Sequence, residues 1–349
     1  MKKFKVCLLV LLLVCLTLVG CSSNTTNAAN TTNASSQVAA ENPQPEQEQA
    51  EQKLYKVGII QLVEHPSLDY VREGIIRGLK DSGFEQNKNL IIDYQNAQND
   101  QSTLDNIAKK FVGDRVDLII SITTPATQIV AANTSDIPIV FSAVTDPVSA
   151  KVVESWEKPG GNVTGVSDLN PFEAQFEMLQ KVVPHAKKIG IVYNTSEVNS
   201  QVQVEKAREF AAKHGYEIIV GPIYNSSEVL TASQTLASKG IDAFYVITDN
   251  TVATSINSLA KVAIDNKIPA IVAEDSQVEG GCLISIGIDY NLHGYQAGEM
   301  AARVLNGANP ADMPVELQQD LMVVINRETQ EALGIELPEE YTKQAKYVP

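Results

Sequence analysis

The sequence predicts an α/β protein built as two doubly wound α/β lobes joined by a hinge. Three observations carry this. From Leu54 onward, short apolar runs alternate with amphipathic stretches, the pattern of parallel sheets covered by helices on both faces. The series then restarts, because Lys56-Val57-Gly58-Ile59-Ile60-Gln61 is matched by Lys188-Ile189-Gly190-Ile191-Val192-Tyr193, with elements following in the same order. Each series spans about 130 residues, an ordinary domain size.

The elements follow from local pattern. Tyr55–Ile60, Leu90–Tyr94, Leu118–Ile122 and Ile137–Phe141 read as buried parallel strands of the first lobe. Between them, Leu68, Val71, Ile75, Ile76 and Leu79 keep helical spacing up to Gly83, and Leu104, Ile107, Ala108 and Phe111 do so up to Gly113. In the second lobe the strands are Ile189–Tyr193, Ile218–Val220, Phe244–Ile247 and Ile271–Ala273. Its helices fall near Phe172–Val183, Gln201–His214, Leu230–Lys239 and Thr251–Asn266, and a further helix covers Leu292–Leu305.

Ahead of the body, Lys2, Lys3 and Lys5 precede the apolar run Val6–Val19, which ends in Leu18-Val19-Gly20-Cys21. A basic start, an apolar stretch and a small-residue cut site describe a secretion signal over residues 1–20. The run is short of the ~20 apolar residues a spanning helix needs. The cut-site cysteine resembles the lipobox of bacterial lipoproteins, which implies lipidation of Cys21 as the mature N-terminus. Residues 21–53 are then a tether: Ser22 to Gln52 is almost wholly Asn, Thr, Ser, Ala, Gln, Glu and Pro, too polar to bury a core. Its random-coil reach is about 30 Å.

Composition excludes several classes. A formal net charge of −15 argues against a nucleic-acid partner, whose phosphates would be repelled. Of Cys7, Cys15, Cys21 and Cys282, only Cys282 lies in the body, so neither a disulfide framework nor a cysteine metal site is available. His65, His185, His214 and His293 show no metal-binding spacing, and no phosphate loop, dinucleotide fingerprint or nucleophile elbow occurs. No cofactor is implied.

Ligands of doubly wound sheets sit beyond the carboxyl ends of the strands. Those ends carry Gln61 and His65 after the first strand, Thr123-Thr124-Pro125 after the third and Ser142 and Thr145 after the fourth. In the second lobe they carry Asn194, Glu197 and Asn199, then Asp249-Asn250, then Glu274-Asp275. Thr123-Thr124-Pro125 opens a helix, where backbone N–H groups and hydroxyls suit a carboxylate; plain N-capping is the competing role. Asp249 or Asp275 on the facing lobe would pair with an ammonium, and together the two features suit an amino-acid zwitterion. His65 is open to two roles, ligand contact or exposed loop residue.

Longer strings point to a family. Glu64-His65-Pro66-Ser67-Leu68-Asp69, Val144-Thr145-Asp146-Pro147-Val148, Pro159 to Gly165, Tyr193 to Ser200, Thr248-Asp249-Asn250 and Asp289-Tyr290 resemble the substrate-binding lipoproteins of ABC transporters, in the group that includes tryptophan-binding proteins. The resemblance spans Leu54 to Val324 and implies the type I periplasmic-binding fold, with hinge crossings near Val163–Ser167, Ile286–Asp289 and Met322–Val324. The first lobe is then 54–165 with 288–322, and the second 166–287 with 323–349. It implies a monomeric, non-enzymatic receptor, lipid-anchored on the extracytoplasmic face, that captures an L-amino acid and passes it to an ABC permease and its ATPase. Tryptophan or another aromatic is favoured by the resemblance. Two alternatives stay open: a sensory lipoprotein binding a nucleoside or sugar, and a hydrolase or isomerase using Glu274-Asp275.

Overall fold

The computed structural model describes residues 53–349; the signal, Cys21 and the tether to Gln52 lie outside the described residues. The first lobe runs β1 (Tyr55–Gln61), α1 (Pro66–Asp81), β2 (Leu90–Asn96), α2 (Gln101–Gly113), β3 (Leu118–Ile122), α3 (Thr124–Asn133), β4 (Ile139–Ser142) and β5 (Val163–Ser167). The second runs α4 (Phe172–Val182), β6 (Lys188–Asn194), α5 (Val198–His214), β7 (Glu217–Ile223), α6 (Val229–Ser238) and β8 (Ala243–Val246), then α7 (Asn250–Ala253), α8 (Ile256–Asp265), β9 (Ala270–Val272), α9 (Asp275–Glu279) and β10 (Ile284–Gly287). The chain returns through α10 (Tyr290–Leu305) and β11 (Glu316–Leu317). It ends in β12 (Met322–Asn326), α11 (Arg327–Leu333), α12 (Glu339–Thr342) and β13 (Lys346–Val348).

Two sheets result, in the strand orders β11-β5-β4-β3-β1-β2 and β13-β12-β10-β9-β8-β6-β7. All pairings are parallel except β10 with β12. The expected α/β class with two doubly wound lobes is therefore the observed one. Both faces of each sheet are covered, which is why β3 is buried along its whole length and reads as a continuous apolar run. In the first lobe, Ile59, Ile120 and Val140 pack under α1 and α10, while Phe111, Ile119 and Phe141 fill the opposite face. In the second, Phe176, Ile191 and Tyr245 lie on one side and Val192, Phe244 and Val246 on the other.

The return helix α10 lies against α1 at glycine-to-backbone distance. A methyl group on Gly74 or Gly294 would run into the carbonyl of Asn291 or Val71, respectively. This contact fixes α10, and with it Tyr290 and His293, in the first lobe.

Two details sharpen the expectations. The crossing that the resemblance places near Val163–Ser167 follows that segment, which is itself a buried strand paired with β4 and β11, where Gly165 lets the backbone lie against Phe141. The chain leaves this sheet only after Ser167, through Asp168, Leu169 and Asn170. The stretch Thr251–Asn266 is two helices, broken where Ser255 leaves helical geometry at φ −131 and ψ 25.

Candidate ligand site between the lobes

Parallel pairing sets the carboxyl ends level: Ile122 lies opposite Ser142, so Thr123 and Ala143 emerge side by side. Both have left-handed backbone, with φ 97 at Thr123 and 56 at Ala143, a conformation that costs about 1–3 kcal/mol for a non-glycine residue. The surroundings enforce it. Thr123 N–H donates to Ser142 O at 3.0 Å, and Ala143 N–H donates to Nε2 of the buried His293 at 3.0 Å. Burial keeps the His293 imidazole neutral, down to about 3, so that Nε2 is an acceptor.

The Thr123 side chain makes no capping bond to α3. The hydroxyls of Thr123, Thr124 and Ser142 are all buried and have no hydrogen-bond partner within the protein. Buried polar atoms are normally paired, so three orphans at one sheet edge, beside the first turn of a ten-residue helix, mark a place for acceptors from outside the chain.

The facing lobe behaves differently. Glu197 accepts from Asn250 Nδ2 at 2.6 Å, Thr251 Oγ1 at 2.8 Å, the backbone N–H groups of Asn250 and Thr251, and the amides of Asn194 and Asn199. Asp249 accepts from Asn194 N–H at 2.7 Å, Ser200 Oγ at 2.7 Å and Val252 N–H at 2.8 Å, the last as N-cap of α7. Burial and the neighbouring Glu197 carboxylate push Asp249 upward. The Asp249 oxygens, one of the two expected partners for an ammonium, thus bind donors of their own lobe. Gln61 is similarly engaged, bonded to Val63 O, Asp69, Arg72 and Tyr94.

Between the lobes lies an enclosed cavity of about 10 Å³, room for a single water. Its walls are His65, Leu68, Ala143, Thr145 and Tyr290 from the first lobe and Asn199, Thr248, Asn250 and Glu274 from the second, with Asp168 from the crossing segment. Of the residues expected from sequence, His65, Thr145, Asn199 and Asn250 reach it. Gln61, Asn194, Glu197, Asp249 and Asp275 do not line it, and Thr123, Thr124 and Ser142 sit at the strand ends beside Ala143. Asn194 and Glu197 instead border a second hollow of about 300 Å³ at the rim, facing Pro125 and Gln128 of α3.

Asp168 and Glu274 are the cavity's acids, and no Lys or Arg lines it. Burial pushes the Asp168 carboxyl up to about 6, opposed by the side chains of Thr145 and Tyr290, the Tyr290 hydroxyl donating to Oδ2 at 3.1 Å. Burial pushes Glu274 up to about 8, and the Asp168, Asp275 and Asp249 charges add to the rise. His65 is held neutral by burial, down to about 4, against the pull of Asp69 and of the Asn250 side chain. Asp275, pushed up to about 6 by burial, receives its own neighbour's Ser276 N–H. Asp168, directly after β5, was not among the residues expected from sequence.

The lobes touch directly. Ser67 Oγ at the start of α1 donates to Glu274 Oε2 and shares a hydrogen bond with Ser276, and Tyr70 donates to Glu279 at 3.1 Å. A larger groove of about 520 Å³ opens on this side, between His65-Pro66 and the start of α8.

Two sheet-based lobes meeting over a polar cavity at their strand ends have the architecture of a two-lobed protein that binds a small molecule in its cleft. The chain belongs to the ABC transporter substrate-binding protein family, whose pattern matches residues 56–348. It is 46% identical over 302 residues to the tyrosine-binding protein of Clostridioides difficile strain R20291, covering 86% of this chain and 87% of that one. A structure from Streptococcus pneumoniae in complex with L-Trp is 37% identical, with TM-score 0.82 over 85% of this chain and 100% of that chain. The ligand-free, open structure of a substrate-binding protein with adhesive properties from Clostridium difficile is 46% identical, with TM-score 0.68 over 84% and 99%. These relatives are substrate-binding proteins, not enzymes. A solute-binding protein with bound myo-inositol from Bacillus halodurans, 17% identical, shares the fold at TM-score 0.60.

Backbone agreement runs opposite to identity: the L-Trp complex overlays better than the open form although it is less identical.

Proposed function

We propose that this protein captures an aromatic L-amino acid, tyrosine or tryptophan, between its lobes and delivers it to the permease and ATPase of an ABC importer. The observation that carries the reading is the closed inter-lobe cavity, flanked by orphaned buried hydroxyls on one side and unneutralised acids on the other. That is the polarity of a zwitterion's two ends. The relatives that bind tyrosine and L-Trp supply the aromatic side chain. The carboxylate goes to Thr123, Thr124 and Ser142 with the N–H groups of α3's first turn. His65, Thr145, Asn199 and Asn250 form the wall.

A cavity of about 10 Å³ does not hold an amino acid, so binding requires the lobes to part and close again around the ligand. A ligand touching both lobes favours the closed form by its extra contacts there. The protein does this from the extracytoplasmic face, held by a lipid on Cys21; the support is Leu18-Val19-Gly20-Cys21 ahead of a polar tether. Among the described residues, no helix is long and apolar enough to cross a membrane.

Calorimetry against the amino acids tests the ligand. Tyrosine or tryptophan should bind, and methylating the ligand carboxylate should abolish the heat. Binding of a sugar or nucleoside with no amino-acid heat would keep the receptor and discard its ligand. Cys21→Ala should release the protein from membranes or leave it uncleaved; unchanged detergent partitioning after correct cleavage would remove the anchor.

A further inference from the structure

We propose that Gln203 is a positioning residue: its carboxamide locks the first hinge crossing to the second-lobe wall of the cleft, so that the wall meets the ligand already aligned with the hinge. The role rests on the ligand-capture reading above and belongs to a residue outside the cavity lining.

Gln203 lies in the second turn of α5 and is fully buried. A glutamine side chain presents a donor and an acceptor in one plane, as a peptide group does along a strand edge. Here the carboxamide pairs with the backbone of Thr248: Oε1 accepts from Thr248 N–H at 3.1 Å, and Nε2 donates to Thr248 O at 2.8 Å. Thr248 stands two residues past β8, where pairing with β6 and β9 has ended, so the side chain takes the place of a strand neighbour. Oε1 also accepts from Thr248 Oγ1 at 2.7 Å, and Nε2 also donates to Asn199 O at 3.2 Å. Thr248 and Asn199 both line the inter-lobe cavity. One amide therefore sets two stretches of the wall, the start of α5 and the loop after β8.

The same oxygen reaches the hinge. Asn170, the last residue of the crossing that leaves the first lobe, donates from Nδ2 to Gln203 Oε1 at 2.6 Å. The other end of that crossing is held by the first lobe. The Tyr290 hydroxyl donates to Asp168 Oδ2 at 3.1 Å, and Ser167 Oγ donates to Thr145 O at 2.9 Å while accepting from Leu169 N–H at 3.1 Å. With both ends fixed, lobe rotation along this crossing falls on the backbone about Leu169, and Asn170 turns with the second lobe. Gln203 joins hinge and wall into one body. Without the tie they settle independently, and ligand binding has to order them. Immobilising one such group on binding costs about two- to tenfold in affinity.

The test is calorimetry with L-tyrosine on the full-length protein in detergent, far below the melting midpoint. Asn170→Ala removes only the hinge end of the tie, since Gln203 keeps its bonds to Thr248 and Asn199. It should weaken L-tyrosine by about two- to tenfold. Gln203→Met should weaken it further, and Asn170→Ala should add nothing in that background, because residues of one network do not act additively. Ser233→Ala, which removes a buried hydrogen bond to Val229 O within α6 of the same lobe, should leave affinity unchanged. A purely structural Gln203 would lower the melting midpoint without this pattern.

Gln203→Met strands buried donors, so amide hydrogen exchange of ligand-free Asn170→Ala supplies a second readout. Residues 245–252 should exchange at least about twofold faster than in the wild type, while residues 231–238 of α6 should not change. Wild-type tyrosine affinity in Asn170→Ala, or losses that add in the double variant, overturns the proposal and leaves the amino-acid reading standing. No heat with tyrosine or tryptophan in the wild type overturns that reading. The exchange of residues 245–252 then decides the tie alone, and an unchanged rate in Asn170→Ala overturns it.

Discussion

The strand ends of the two lobes carry the same kinds of residue and do opposite things with them. In the first lobe, the hydroxyls of Thr123, Thr124 and Ser142 are buried and unpaired. In the second, Glu197 and Asp249 gather donors from Asn194, Ser200, Asn250, Thr251 and Val252 into a closed network. The first edge leaves three hydroxyls open, whereas Glu197 and Asp249 on the second are held by donors of their own lobe. Polarity at a strand end therefore identifies the cleft without identifying who faces it. What separates the two is whether the protein already satisfies each atom.

The largest effect that would break this contrast is on stability. Glu197→Ala strands several buried donors, each costing about 1–3 kcal/mol when unpaired, so the total loss should be about 3–4 kcal/mol as neighbours adjust. Denaturant unfolding measures it directly. A variant of wild-type stability that loses only ligand would move Glu197 from scaffold to contact.

The matching change in the first lobe should do the reverse. Thr124→Val removes a hydroxyl with no partner and should leave stability within about 0.5 kcal/mol, since an unsatisfied group is lost and not created. Ligand affinity should fall by about 10- to 150-fold, the equivalent of one charge-assisted bond of about 1.5–3 kcal/mol. Ser142→Ala belongs to the same class. If either variant unfolds readily but binds normally, the orphaned hydroxyls serve the fold.

Most of the fold was legible in the sequence because its signal is local. Continuous apolar strands, helices spaced on one face and a repeated opening pattern all lie within a few residues of one another. The site was legible only as a location. Whether Asp249 faces ligand depends on donors such as Asn194, 55 positions away, and no local pattern reports that bond. Asp168 was hidden for a related reason: it follows a strand end whose neighbours β4 and β11 are distant in sequence. Glu274 was noticed as half of an adjacent acidic pair. The structure separates the two, giving Glu274 to the cavity and Asp275 to α9.

The lobes also differ in their buried titratable groups, which gives a sharper handle. The first lobe buries histidines: His293 is lowered to about 3 and His65 to about 4, both by desolvation. A depressed pKa in the folded state means stability that is present above the unfolded value of 6.5 and is lost as pH falls through the folded one. The slope is at most about 1.4 kcal/mol per pH unit for each ring. The chain's one tryptophan, Trp156, packs in the first lobe and reports its unfolding by fluorescence. Acidification from pH 6.5 to 4.5 should lower the Trp156 melting midpoint, and His293→Gln, whose amide oxygen still accepts from Ala143 N–H, should flatten the dependence. An equal slope in the variant would place the acid sensitivity elsewhere. The second lobe's buried acids are raised, so their contribution declines with rising pH instead.

The smallest effect lies where the two edges meet. Ser67 belongs to the first lobe, yet its hydroxyl is bonded to Glu274 and Ser276 of the second, and Tyr70 reaches Glu279 beside them. These bonds exist only when the lobes are together, so they favour the closed form before any ligand contributes. One such hydrogen bond is worth about 0.5–1.5 kcal/mol net, which shifts an open–closed equilibrium about two- to tenfold. Ser67→Ala should therefore expand the ligand-free protein slightly in small-angle scattering, and saturating ligand should restore the compact curve, because ligand contacts to both lobes outweigh one lost bond. A ligand-free scattering curve identical to wild type would mean that closure is governed by the hinge segments alone, and that the bonds at the cleft mouth follow closure without favouring it.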